Sequence, residues 1–532
     1  MQDLFHLTVK GTLHKNKGHP KNMRSIEGKT LKSSIIISLY TSLTSIFNYL
    51  TLFLLAFTFG TRMEMDAYFA AITIPQIITA VLLATLSTTF IPVFIEVRME
   101  DESRAWKLAS ISVNLVFFLL VLIAFTGSIL SKDIIAQLNP GFPEETLSLA
   151  SSLFRILLIS VVFSGTSIIL SSLYYAHHRF VKAPFFQWLS SCVTFFFVLS
   201  FRSSWGIKSI AAGTLVGSLI QFLSLLPIIR RRYSFSFNFK DKEIVKLSRL
   251  IIPLLIGSIF YRSNTLVERF IASRLGEGII SYLGYSYKII MALVLLINQG
   301  ISTVLFPRMS EYSAVKDFVG LKETLSKGIR ALIIITVPIA FIIILARSEL
   351  VAIIFERGNF SHYDTIAVSK ALIAYLGLFV VGAISLPIVN TLYSIQETKK
   401  VASVGIFGFL IYVIMAFILS HYFSYIGIAL AVSIQYIISI ILFIYILKKK
   451  SVEFERHEIF CCTFKVILAS GLTSFFILGS RKLLKSMIGF PLDLIVFGIL
   501  GFCLYFLVLI ILKTEELKFL KTTFQLLKKY DS

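Results

Sequence analysis

Charged and amide side chains stand inside an apolar run near the middle of the chain, where Arg262, Asn264, Glu268 and Arg269 lie within residues 251–273 and Arg274 follows. A charged side chain at the centre of a lipid-spanning helix costs about 3 kcal/mol or more unless it faces a polar cavity or a partner. These positions are therefore binding candidates. Arg262 and Arg269 are seven residues apart, two turns of a continuous helix, and would point nearly the same way. With Lys288 early in the following span, and Arg155 near the end of an earlier one, they would make a positive cavity. Such a cavity suits a phosphate-bearing ligand, which a guanidinium grips through its planar fork. A structural alternative stays open: Arg269 and Arg274 can snorkel to the interface, and Glu268 can pair with a neighbouring cation.

Softer polar positions lie further upstream. Thr41, Thr44, Ser45, Asn48 and Thr51 recur every three or four residues and would share one helix face. That face either lines a cavity or uses its hydroxyls on its own backbone and on helix contacts. Asp66, at the start of the next span, is a candidate proton or cation site and can equally cap that helix. The loops carry no glycine-rich phosphate cradle, no metal-spaced set and no carboxylate pair placed for acid–base work. No enzyme activity, cofactor or metal is expected. The four cysteines, Cys192, Cys461, Cys462 and Cys503, fall inside apolar runs and read as packing residues.

The elements that must position these residues are membrane helices. The 532-residue chain is 56% hydrophobic and 15% charged, with 49 Phe. That composition fits lipid rather than a soluble multidomain protein. The net charge of +22 does not mark a nucleic-acid partner, because the cations sit in short loops between apolar runs. Lys and Arg favour every second loop by about three to one, which predicts both termini in the cytoplasm and an even number of spans. About fourteen spans are expected, among them 248–273, 400–420, 424–446 and 490–512. His177-His178-Arg179 reads as a topology signal.

A weak internal duplication organises the spans. Ser87, Thr88, Pro92 and Glu96 recur as Ser302, Thr303, Pro307 and Glu311, 215 residues on. Leu173-Tyr174 and Ala183 recur as Leu392-Tyr393 and Ala402, 219 residues on. Two parallel six-helix lobes around a central cavity follow, a design used for alternating access. The expected layout is a basic cytoplasmic tail (1–32), an N-lobe with spans 1–6 (33–232), a C-lobe with spans 7–12 (233–450), and two extra helices with a cytoplasmic tail (451–532).

The run Phe59-Gly60 through Asp66-Ala67-Tyr68-Phe69-Ala70-Ala71 to Ile74-Pro75 resembles the start of the MurJ/MviN lipid II flippases, within the multidrug/oligosaccharidyl-lipid/polysaccharide exporter superfamily. So do Ala272-Ser273-Arg274-Leu275-Gly276-Glu277-Gly278 and Phe355-Glu356-Arg357-Gly358-Asn359-Phe360. The resemblance covers about residues 34–512. It implies an all-α inner-membrane transporter that moves a polyprenyl-diphosphate-linked glycan, lipid II first, in peptidoglycan synthesis. It also implies that helices 13 and 14 help form a groove for the polyprenyl tail. The expected partners are that substrate, the membrane and the envelope-synthesis machinery. Alternatives are another lipid-linked polysaccharide unit and a cation-coupled multidrug exporter. The chain departs from the family pattern where arginines line spans 1 and 2, placing Ser45, Thr51, Thr79 and Ala80 there. Lys288 takes the usual basic place in span 8, beside Tyr287 instead of an acid, and Arg269 keeps a family-typical basic place.

Overall fold

Long apolar runs leave the backbone one economical solution in lipid, a helix that satisfies its own hydrogen bonds. A computed structural model describes residues 20–230, 232–236, 238, 241–315, 317–450, 454–485 and 492–512. Residues 1–19 of the expected basic tail and the expected cytoplasmic tail from residue 513 lie outside the described residues. All described regular structure is helical. The helices are α1 (Pro20–Phe59), α2 (Met63–Glu100), α3 (Glu102–Ile129), α4 (Ser131–Leu138), α5 (Glu144–Ala176), α6 (Lys182–Trp205), α7 (Lys208–Leu225), α8 (Lys242–Arg262) and α9 (Asn264–Ala272). They continue with α10 (Ile279–Ala314), α11 (Phe318–Phe355), α12 (His362–Ala374), α13 (Leu376–Ser394), α14 (Thr398–Lys449), α15 (Arg456–Lys485) and α16 (Leu492–Ile511). Among the described residues twelve helices are long and apolar enough to cross a membrane.

The expected spans 11 and 12 fall within the 52-residue α14, whose helical dihedrals break at Ser424. Span 14 corresponds to α16, of which Gly498–Ile511 forms a shorter apolar helix. The chain divides into two units, residues 1–278 and 279–532.

In the first unit α5 packs against α2, α3 and α7 and is the most enclosed span, with 72% of its apolar window buried. The helices α1, α6 and α7 pack in sequence along its flank. Gly213 and Gly217 let α7 approach α6 closely: a Cβ on Gly217 would sit 2.7 Å from the Ser190 carbonyl oxygen. Thr194 Oγ1 donates across that contact to the Gly213 carbonyl at 3.2 Å. Small residues spaced four apart are a usual way for membrane helices to meet.

The sequence boundary at 232/233 separates spans 6 and 7, whereas α8 and α9 group with the first unit. Ion pairs and loop contacts supply the reason. Lys246 on α8 binds Glu96 on α2 at 2.7 Å, and Glu243 binds Arg104 on α3 at 3.1 Å. Just before α8, Asn114 on α3 accepts from the Tyr233 hydroxyl at 2.5 Å and donates to the Ser236 carbonyl at 3.2 Å.

In the second unit α10, α11 and α13 pack together, α15 lies along α11, and α14 covers α13. Leu325, Ile329, Ile333, Leu447, Val466 and Leu509 share its core. Tyr505 on α16 donates to the Ile334 carbonyl at 2.9 Å, fastening the last helix to α11. Lys450 and Lys400 flank Glu397 and hold its carboxyl below the usual range.

The backbone repeats itself between the units. His178 and Gln396 both have positive φ, at 57° and 62°. Each sits in the same turn: Arg179 N–H donates to the Tyr174 carbonyl as Glu397 N–H does to Leu392. Gly206 (φ 55°, ψ −140°) has its counterpart in Ser424 (φ 53°, ψ −139°). Both pairs are spaced by 218 residues, between the offsets of 215 and 219 read from side chains. A side chain at such dihedrals is strained by about 1–3 kcal/mol, and only glycine adopts them freely. Ser424→Gly should therefore raise the apparent unfolding midpoint in detergent, by a stabilisation of about 1 kcal/mol. An unchanged or lower midpoint would count against the strain.

Candidate substrate-binding site

Arg262 and Arg269 lie on either side of a local tightening of the helix, where Ser263 keeps αR dihedrals (φ −75°, ψ −8°). The helix ladder is interrupted at Ser263, so Arg262 ends α8 and Asn264 begins α9. Ser263 N–H reaches the Phe260 carbonyl at 3.2 Å in place of a longer helical bond, and its own carbonyl accepts from Leu266 at 3.0 Å. Arg262 and Asn264 are half-buried at this junction, whereas Glu268 and Arg269 are each only 6% exposed. The two arginines therefore differ in burial.

Arg269 is held on three sides. Its Nη1 meets Glu268 Oε1 at 3.1 Å, and its Nε donates to Thr73 Oγ1 on α2 at 3.4 Å. The guanidinium carbon lies 5.7 Å from the centre of the Phe69 ring. Asp66, Phe69 and Thr73 share a face of α2 because they are spaced by three, four and seven residues. The family resemblance pointed to Arg269, but sequence reading missed Phe69 and Thr73 as its partners. The recurring face was the available signal for them.

Asp66 lies in the first turn of α2, whose N-cap residue Arg62 makes no side-chain cap. Its buried carboxylate accepts instead from the Gly278 amide at 2.6 Å. The missing cap comes from Glu277, whose Oε1 accepts from Met63 N–H at 3.1 Å. Glycine suits this turn, since Gly276 and Gly278 have φ of 125° and 81°. Beside the turn, Gly141 N–H reaches Ser273 Oγ at 3.4 Å. Arg155 donates through Nε to Ser131 Oγ at 2.7 Å, tying α5 to α4. Arg274 stacks on Phe270, 4.3 Å from the ring centre.

On α1 the hydroxyls use their own helix. Thr41, Thr44, Ser45 and Thr51 each donate to the carbonyl four residues back, at 2.8 to 3.1 Å. Asn48 is exposed, Ser45 half-buried and Thr51 buried. In the second unit, Lys288 is half-buried on α10 beside Tyr287, whose ring centre is 5.8 Å from that of Tyr375. Among the described residues no cluster of His, Cys, Asp and Glu has the makings of a metal site.

The arrangement in the first unit is thus a buried, charge-balanced pair just beyond a local tightening of the helix at Ser263.

Comparison with known proteins places these features in a family context. The sequence model described as Lipid II flippase MurJ matches residues 55–497. A protein named probable lipid II flippase MurJ from Buchnera aphidicola subsp. Acyrthosiphon pisum is 27% identical over 456 residues, covering 83% of this chain and 88% of that protein. One of the same name from Thermotoga maritima is 25% identical, covering 92% of this chain and 98% of that protein. Among solved structures, a lipid II flippase MurJ in an inward closed conformation matches with a TM-score of 0.79 at 23% identity, over 90% of this chain and 99% of that one. An inward-facing multidrug resistance MATE family transporter matches with a TM-score of 0.65 at 16% identity, over 77% of this chain and 94% of that one. At these identities the structural matches speak to fold alone.

Proposed function

The chain belongs to the MurJ lipid II flippase family, and we propose on that premise that it translocates lipid II, a polyprenyl-diphosphate-linked glycan, across the inner membrane for peptidoglycan synthesis. The family match over residues 55–497 carries this reading. It is a multi-pass membrane transporter and not an enzyme. The finer layout proposed is fourteen spans in two parallel six-helix lobes plus two C-terminal helices, working by alternating access with both termini in the cytoplasm.

Arg269, Arg262 and the start of α9 at Asn264 are the proposed diphosphate contacts, with Lys288 contributing from α10. Ser45, Asn48 and Thr51 are proposed as the polar lining of span 1. Glu268 would moderate the charge of Arg269 until the diphosphate competes for it. Asp66 is already committed to the Gly278 amide, so its proposed role in ion or proton handling is secondary to holding that turn. The envelope-synthesis machinery is the proposed protein partner.

A second reading is favoured by one observation. Ser45, Thr51, Thr79 and Ala80 stand where the resemblance puts arginines, so another lipid-linked polysaccharide unit could replace lipid II as cargo. Both readings meet the same test, in which the chain is expressed in cells depleted of their own lipid II flippase. Growth and externalised lipid II are expected to return. No externalised lipid II, with export restored in a strain lacking a flippase for another lipid-linked glycan, would select the second reading. Full rescue by both Arg262→Ala and Arg269→Ala would remove the site assignment.

A further inference from the structure

In a chain whose described regular structure is all helical, one segment of the sequence follows a different period. Tyr233, Phe235, Phe237 and Phe239 alternate with Ser234, Ser236 and Asn238, a two-residue repeat that a helix does not sort onto separate faces. Residues 232–236 carry no helix. They are tied along α3 instead: the Tyr233 hydroxyl donates to Asn114 at 2.5 Å, Ser234 N–H to Ser110 Oγ at 3.2 Å, and Asn114 to the Ser236 carbonyl at 3.2 Å.

The level of these contacts decides what the segment meets. With 28 residues α3 is about 42 Å long, against about 30 Å for the hydrocarbon core of a bilayer. Centred in the bilayer it would overhang by about 6 Å at each end, so Ser110 and Asn114 lie about 6 to 12 Å inside the core boundary. Non-helical backbone at that depth must have its polar groups met by protein. Ser110 and Asn114 meet them, and every residue of α3 from Leu108 to Asn114 is buried.

The open side of the segment is apolar, with cations at its start. Phe235 is 69% exposed. Arg232 donates to Glu102 and holds its guanidinium carbon 5.0 Å from the centre of the Trp106 ring. Arg230 is exposed and forms no ion pair among the described residues. Acyl chains stabilise an open phenyl ring as water does not, and a cation beside it on a cytoplasmic loop is attracted to anionic headgroups.

We propose that residues 232–236 form an interfacial strap in the cytoplasmic leaflet, with Phe235 inserted at the acyl boundary and Arg230 against anionic headgroups. The leaflet rests on the topology proposed above; the insertion rests on the contacts with α3. All these residues belong to the first unit, and none is proposed to hold the translocated glycan lipid.

The test places an indole at the proposed depth in the full chain, reconstituted in bilayers of phosphatidylcholine and phosphatidylglycerol. In Phe235→Trp the added fluorescence, taken as the difference from the parent, should be quenched by lipids brominated near the glycerol end and little by aqueous acrylamide. Quenching by acrylamide alone would overturn the insertion and assign the ring to water or to a soluble partner. With the bromine on one lipid class at a time, phosphatidylglycerol should be enriched around the indole, and Arg230→Ala should lower that enrichment about five-fold, the contribution of one cation near an anionic surface. Arg230→Lys should keep it. Equal quenching by the two lipids, or enrichment unchanged in Arg230→Ala, would overturn the anionic partner. Tyr233→Phe removes one hydroxyl from the α3 contact; it should speed hydrogen exchange at residues 233–236 and raise acrylamide quenching, with little change in the unfolding midpoint in detergent. Unchanged exchange and quenching would overturn α3 as the support of the strap. Lys242→Cys should react with an impermeant thiol reagent only from the cytoplasmic side, and reaction from outside would overturn the leaflet. The readouts are ring depth and lipid preference, so a failure here is distinct from a failure to externalise lipid II.

Discussion

Arg269→Ala should cost about 3–5 kcal/mol of stability and abolish rescue of flippase-depleted cells, the largest effect expected of any single side chain in the candidate site. The reason is that both partners of the Arg269–Glu268 pair are buried, with side chains 7% and 8% exposed. Removing the guanidinium leaves the Glu268 carboxylate in a low-dielectric site without its ion-pair partner there, which is worse than having no pair at all. The double replacement Glu268→Ala with Arg269→Ala should therefore recover most of the unfolding midpoint measured in detergent. It should not recover transport if Arg269 is the group that meets the diphosphate. Growth rescue by the double variant would make the pair structural and move the site elsewhere. Arg269→Lys is informative as well, because it keeps the charge and loses the fork. It should fold and transport poorly.

Gly141→Ala should be nearly as severe, although it introduces only a methyl group. A Cβ there would lie 2.1 Å from the Ser273 carbonyl oxygen and 2.7 Å from Arg274 Cα. Both are backbone atoms, so the 139–142 loop must back away from the end of α9. Forced overpacking of this kind costs about 1–3 kcal/mol or more. The displacement acts on the turn that ends in the Asp66–Gly278 bond, and Ser273 N–H bonds to the Arg269 carbonyl at 3.0 Å. Faster hydrogen exchange at residues 273–278 and weakened rescue are expected. Gly257→Ala is the control: nothing lies within 4 Å of its new methyl, and alanine is the better helix former by about 1 kcal/mol. Equal behaviour of the two variants would show that the close approach at Gly141 has no consequence.

The helices, the charged span and the duplication were legible in the residues because each is a local property. Apolar runs of spanning length force helices in lipid. A repeated chain writes its turns twice, and the turn at His178 returns at Gln396. Arg269 could be singled out for the same reason, since charge in an apolar run is conspicuous wherever it points. The Glu268–Arg269 pair was less legible. Adjacent positions on a helix diverge and do not ordinarily face each other. Here both side chains are buried, and Arg269, packed against Phe69 and Thr73, also meets Glu268.

Composition and periodicity by themselves determined that this chain crosses a membrane many times as helices, and its ordered motifs determined its family. Only the tertiary structure decided what the charges do. It sent Asp66 to an amide 212 residues away, gave Met63 N–H to Glu277, buried Arg269 more deeply than Arg262, and used Arg330 to engage Glu455 and Glu458. The physical reason is one of range. Helix formation in lipid is settled within a few turns of backbone, whereas a buried charge is settled by whichever distant group reaches it first in the packed fold.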